Sequence, residues 1–298
     1  MIDLDQTSFV HRCDTLVSDM PNPLTSNFEA LASKPDEALD IARIALALAT
    51  DAYPDLDPGV YLAWLDATAE TIAGAADLAM PLPERLAMLD HQLFEVQGFS
   101  GNDDDYFDPR NSYLNDVIER RTGIPITLSV VYLEVGWRLG MPLVPVSFPA
   151  HFLVASTGAG RVFIDPFNHG ARVSAEELVA RLAPMAGGSG QARQILPRVT
   201  APASRREVAM RMLRNLRQIY AKQKDFDRLL VVTNRMVALD PKDPAALRER
   251  GHVLAELECY QAAYHDYQHY LRLAPLALDA ADIQARIERI RPIATRLN

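Results

Sequence analysis

The stretch NSYLNDVIERRTGIPITLSVVYLEVGWRLGMPLVPVSFPAHFLVASTGAGRVFID, Asn111 to Asp165, decides the fold. Asn111 is a candidate cap for a helix through Tyr113, Leu114, Val117 and Ile118 to Arg121, with Gly123 closing it. Ile124-Pro125-Ile126 is expected to be extended, because a residue before proline avoids the helical region, and a second helix opens near Thr127. From Leu128 to Leu139 the charges are Glu134 and Arg138, four apart and so on one face; the rest is too apolar to leave in water. This reads as a central helix. After Gly140 the period changes: residues 143–148, 151–155 and 161–165 read as strands, and Thr157-Gly158-Ala159-Gly160 makes the last two an antiparallel hairpin.

Ahead of this stretch the chain reads as three packed helices. Ser33 is expected to cap an apolar run from Leu39 to Leu48, Asp57-Pro58 opens a second helix, and Pro81 and Pro83 mark the start of a third. Residues 98–109 form a turn-rich loop in which Asp103, Asp104, Asp105 and Asp108 surround Tyr106 and Phe107. A solvated loop anchored by its aromatics is expected there, since the acids lack calcium-loop spacing.

Beyond the strands, Ser174-Ala175-Glu176-Glu177 carries a capping-box pattern, and Gly187-Gly188-Ser189-Gly190 reads as flexible. The tail repeats itself. Leu213 and Leu247, Phe226 and Tyr260, and the turns at Pro241 and Pro275 are each separated by 34 positions, the length of a tetratricopeptide helical hairpin. Two such units are marginal alone, so Val208–Ala280 is expected to pack back on the main domain, with Ile283–Ile293 capping the array.

A formal net charge of −9 argues against a broad nucleic-acid or anionic-membrane surface. The N-terminus has Asp3 and Asp5 and no apolar signal core, and Leu39–Ala49 is too short to span a bilayer, so a cytoplasmic location is expected. Cys13 and Cys259 form no zinc or disulfide-framework spacing. No cofactor or metal is expected.

His151 begins one strand and Asp165 ends its neighbour, so an imidazole held by a carboxylate is expected across the hairpin, as a base with its orienting group or as a structural polar pair. Arg138 is expected to pair with Glu134 near the sheet. A metal at His151 and Asp165 would need a third ligand, which His169 supplies only if its loop folds back.

The runs Asn111–Asn115, Arg121–Ser129, Gly136–Pro142 and Phe148–Leu153 resemble a bacterial transglutaminase-like family with C-terminal tetratricopeptide repeats, associated by name with an invasion-gene regulator. The resemblance covers the whole chain. It implies an α+β, mainly helical fold: a degenerate, papain-like transglutaminase core with a small antiparallel sheet, then a helical repeat tail. The expected divisions are 28–186 for the helical region and core, 187–203 for a linker and 204–298 for the repeats. In active relatives of the wider superfamily a cysteine starts the central helix; His151 and Asp165 match the other two roles, while the cysteine position falls in Pro125–Ser129, which offers Thr127 and Ser129. An alcohol is far less acidic than a thiol and makes a poor nucleophile without further activation. The expectation is therefore a regulatory or protein-interaction protein with an unidentified protein or peptide partner. The alternative is an acyl-transfer enzyme or peptidase-like hydrolase using Thr127 or Ser129 with His151 and Asp165.

Overall fold

The computed structural model describes residues 25–75, 80–158 and 160–294. It divides into two compact units, Pro35–Asn215 and a second that joins Leu216 onward to the segment before Pro35. Helix α1 (Thr25–Ala32) belongs to the second unit.

The first unit opens with α2 (Ile41–Thr50), α3 (Pro58–Ala75) and α4 (Leu82–Asp90), the last continuing as a π-helical turn over His91–Val96. Every residue of α2 except Arg43 is buried, the pattern of a helix enclosed on all sides. Its cap is Asp40, which accepts from the Arg43 amide at 2.9 Å, and not Ser33; a short 3₁₀ turn, Asp36–Ala38, separates the two. Next come α5 (Leu114–Arg120) and α6 (Pro125–Arg138), preceded respectively by the two-residue strands β1 (Ser100–Gly101) and β2 (Thr122–Gly123), which pair in parallel. Pro125 through Gly136 are all buried, so α6 is the central helix the sequence implies.

Four antiparallel strands follow as a meander: β3 (Leu143–Val146), β4 (Leu153–Ser156), β5 (Phe163–Asp165) and β6 (Ala171–Val173). The register sets Val146 against Leu153, Val154 against Ile164 and Asp165 against Ala171. All four residues of β4 are buried, as expected of a strand covered on both faces. α6 packs against β3 and β4. Val146, Phe148, Leu153, Ala155 and Val173 form one cluster with Leu178 and Leu182 of α7 (Ala175–Ala186) and Ala192 of α8 (Ser189–Val199).

Helix α8 corrects the expected linker. Residues 187–203 are not a free tether, because Ala192, Leu196 and Val199 bury against the sheet cluster. The glycines serve as a corner: Gly187 ends α7 in the left-handed region at φ 80°, and Gly188 follows at φ 121°. The division between units falls between Asn215 and Leu216, inside α9 (Arg205–Gln223), rather than at residue 204, and the first unit starts at Pro35 rather than 28.

The second unit stacks α10 (Phe226–Leu239), α11 (Pro244–Glu256), α12 (Tyr260–Leu273) and α13 (Ala280–Ala294) in sequence. Phe226 and Tyr260, 34 positions apart, are the first residues of α10 and α12. Asp225 and Asp243 cap α10 and α11. Gly251 is required on α11: a Cβ there would stand 2.7 Å from the Tyr267 ring. Ile283, Ile287 and Ile290 bury one stripe of α13 and leave its other side exposed, as a terminal helix must. Cys13 lies outside the described residues.

Candidate functional site

His151 sits in a tight turn before β4, its amide donating to the Phe148 carbonyl at 3.1 Å, and Asp165 ends β5. The hairpin brings them together: His151 Nε2 lies 2.8 Å from Asp165 Oδ1. Asp165 is completely buried, and its second oxygen accepts from Asn168 Nδ2 at 2.8 Å and from an Arg181 guanidinium nitrogen at 3.1 Å. Burial alone would push this carboxyl up; the His151 ring, Asn168 and Arg181 outweigh it and hold the group below the usual carboxylate range. The loop is shaped to bring Asn168 back. A 3₁₀ turn over Pro166–Asn168 is followed by left-handed His169 and Gly170, and the Gly170 amide donates to the Asp165 carbonyl at 3.0 Å.

The two candidate alcohols are placed differently. Thr127 occupies the third position of α6, where its hydroxyl accepts from the Ile124 amide at 3.1 Å and lies 2.8 Å from the Asn111 carbonyl and 3.1 Å from that of Ile124. This is half of a capping box, so the hydroxyl is engaged on both its donor and acceptor sides. Gly123 lies underneath, where a Cβ would meet Thr127 Oγ1 at 2.7 Å. Ser129 is also fully buried, but its Oγ makes no hydrogen bond among the described residues. Neither hydroxyl bonds to His151.

Asn111 does not cap α5, whose capping position is Tyr113. Its side chain ties down the acidic loop by donating to the Asp105 carbonyl at 2.7 Å and accepting from Asn102 at 3.1 Å. The loop is thus anchored by amides and by the Asp108 ion pairs with Arg110 and Arg120, while Tyr106 and Phe107 lie outward. Phe167 stands edge-on to His151 with ring centres 6.1 Å apart and packs over Gly101, where a Cβ would lie 2.6 Å from its ring.

His169 points away, its ring edge against Phe94 at 5.9 Å, and no group of three or more metal-ligating side chains occurs among the described residues. Arg138 pairs with Glu134 at 2.6 Å as expected, but its other partner is Asp66 of α3 at 2.6 Å, which places it on the helical side rather than by the sheet. A further network, which runs from the buried Tyr132 out to the surface, escapes sequence reading: Tyr132 donates to Asp90 at 2.8 Å, and Arg172 of β6 bonds the other Asp90 oxygen at 2.6 Å. Burial raises the Asp90 carboxyl against these bonds, and burial beside Asp90 raises the Tyr132 phenol well above its ordinary value.

A histidine held by a buried aspartate, behind a central helix and on an antiparallel sheet, is the arrangement of a transglutaminase-like core. The chain belongs to the transglutaminase-like superfamily, which residues 60–214 match, and residues 216–288 match the tetratricopeptide repeat. The two matches meet where the two compact units divide. A UPF0162 protein of Xylella fastidiosa strain Temecula1 is 40% identical over 87% of this chain and 92% of its own length. A UPF0162 protein of Vibrio cholerae is 29% identical over 80% of this chain and 88% of its own. The F-box only protein 21 of Mus musculus is 37% identical over 35% of this chain and 19% of its own length. No solved structure matches the chain. No helix among the described residues is long and apolar enough to cross a membrane.

Proposed function

We propose that this chain is a regulatory, protein-interaction protein in which the repeats capture a protein or peptide partner and the transglutaminase-like core performs no acyl transfer. One observation carries the reading: Thr127 and Ser129 are both 0% exposed, and the Thr127 hydroxyl is already bonded at the start of α6. A nucleophile must meet a substrate carbonyl at about 3–3.5 Å in an attack geometry. Neither hydroxyl is open to one. His151 and Asp165 then act as a polar clasp that fixes the β4–β5 hairpin to α7 through Arg181. The match of about a third of the chain to an F-box only protein supports a core that is used in different chain contexts. A cytoplasmic location belongs to the same reading.

A competing reading is acyl transfer by Ser129. Its support is the unpartnered Ser129 Oγ, together with a His151 ring whose Nε2 is taken by Asp165 and whose Nδ1 remains for a proton. Incubating the purified chain with amide, ester and glutamine-plus-amine substrates decides between the two. Absence of turnover is expected. Turnover lost on Ser129→Ala or Thr127→Ala and on His151→Ala would replace the non-enzymatic reading.

A further inference from the structure

Helix α1 is joined in sequence to the first unit at Pro35 yet packs with the second, against α10. Its buried residues are Phe28, Leu31 and Ala32, while Glu29 and Ala30 between them are exposed. That i, i+3, i+4 spacing is the stripe of an amphipathic helix laid on one surface. The helix stops after Ala32: the Ser33 amide donates to the Glu29 carbonyl at 2.9 Å and the Lys34 amide to that of Leu31 at 3.2 Å.

The surface beneath is not purely apolar. Arg235 of α10 is buried, and its guanidinium carbon lies 4.9 Å from the centre of the fully buried Phe28 ring, a cation–π contact. Val232 and Leu239, three residues before Arg235 and four after it, are buried on the same face of α10. The seat therefore selects an aromatic side chain at one position and apolar ones beside it.

Two features make this seat exchangeable. Eight residues are too few for a helix to hold its shape alone, so α1 away from α10 is an unfolded segment. A guanidinium bared when α1 leaves is hydrated, whereas a wholly apolar floor would stay costly in water. The tether is also short. Asp36, eight positions beyond Phe28, accepts from the Arg205 and Arg206 amides at 3.1 and 2.8 Å. A short tether gives an in-cis segment an effective concentration on the order of millimolar. Helix α1 is thus a resident competitor for its own seat.

We propose that the α1 seat on α10 is a docking site for an amphipathic helix of a partner protein, with an aromatic residue over Arg235 and apolar residues three and four positions on, and that α1 occupies the seat until such a helix displaces it. The chemistry of the occupant is read from α1, which displays the pattern the seat accepts. The proposal rests on the reading of the repeats as the partner-binding part of the chain.

The test is fluorescence anisotropy with the full chain and a labelled peptide of residues 25–34 as the probe helix. Wild type is expected to bind it weakly, because α1 competes in cis. Phe28→Asp in the full chain unseats α1, and that variant is expected to bind the peptide at least about tenfold more tightly than wild type does. A peptide carrying Phe28→Ala is expected to bind the same variant about tenfold or more weakly, since the aromatic anchor is gone. Circular dichroism and a cooperative unfolding transition show whether the variant keeps its fold, and the milder Phe28→Ala, Leu31→Ala chain serves if the introduced charge disturbs it. Equal affinity of wild type and variant, no saturation at millimolar peptide, full affinity of the alanine peptide, or loss of the fold in both variants, which would make α1 a fixed part of the core, would overturn the proposal. If that happens while hydroxyl-dependent turnover is still absent, the α1 seat is removed as a docking site and the non-enzymatic reading stands.

Discussion

Replacing Asp165 by alanine tests whether the His151 pair is structural. The carboxylate is fully buried and receives three side-chain partners, at 2.8 Å from His151, 2.8 Å from Asn168 and 3.1 Å from Arg181. Alanine removes the acceptor and leaves a guanidinium, an amide and an imidazole facing an empty site. Breaking a buried pair by deleting one member costs about 3–5 kcal/mol. Arg181 is 39% exposed and can turn partly to water, so the low end, about 3 kcal/mol, is the expected loss. Asparagine is milder: its oxygen can serve Asn168 and Arg181 while its amide donates to an unprotonated Nε2, and about 1–2 kcal/mol is expected. Urea unfolding at pH 7 of wild type, Asp165→Ala and Asp165→Asn measures both. Because the folded carboxyl lies below its unfolded value, its contribution is fully present above the ordinary value of about 3.9 and is lost as pH falls through the lower folded one. The gap between wild type and Asp165→Asn therefore narrows only in that acid range. A loss below about 1 kcal/mol for Asp165→Ala would refute the clasp.

The two alcohols are expected to diverge in stability. Thr127→Val removes a bonded, buried hydroxyl and costs about 1–3 kcal/mol, whereas Ser129→Ala removes an unpartnered one and is neutral or stabilising, both read from urea midpoints. A chain ending at Gly188 lacks α8 and bares the sheet cluster around Ala192, so it is expected to lose cooperative thermal unfolding, while a chain ending at Asn215 retains it. Gly251→Ala drives a methyl against the Tyr267 ring and is expected to cost about 1–3 kcal/mol, seen as a lowered midpoint of the repeat unit.

The features legible in the sequence are those carried by strong local patterns. The central helix follows from a long apolar run with two charges four apart, and the His151–Asp165 contact follows from a short hairpin loop between two strands. The repeat tail follows from a period of 34 that turn prolines and core residues keep together. What escaped rests on distant partners or on weak local signals. Strand β6 has three residues, two of them exposed, so no alternation marks it. Helix α8 opens with Ser189-Gly190 and contains Pro197, both poor helix signals, and it forms because its few apolar residues meet the sheet. Ser33 and Asp40 are both acceptable caps by type, and packing of the enclosed helix selects the second. Arg181 and Asn168 carry no pattern that points at Asp165; only the folded loop and α7 bring them there.

Whether α6 carries a working nucleophile is read directly by intact-mass spectrometry of the full chain after exposure to an activated ester and a fluorophosphonate, with peptide mapping of any adduct. No adduct at α6 is expected, because Thr127 is engaged in its capping box and Ser129 is sealed from solvent. A stoichiometric acyl or phosphonyl adduct on Ser129 or Thr127 that disappears in His151→Ala would contradict it and establish a working nucleophile in this core.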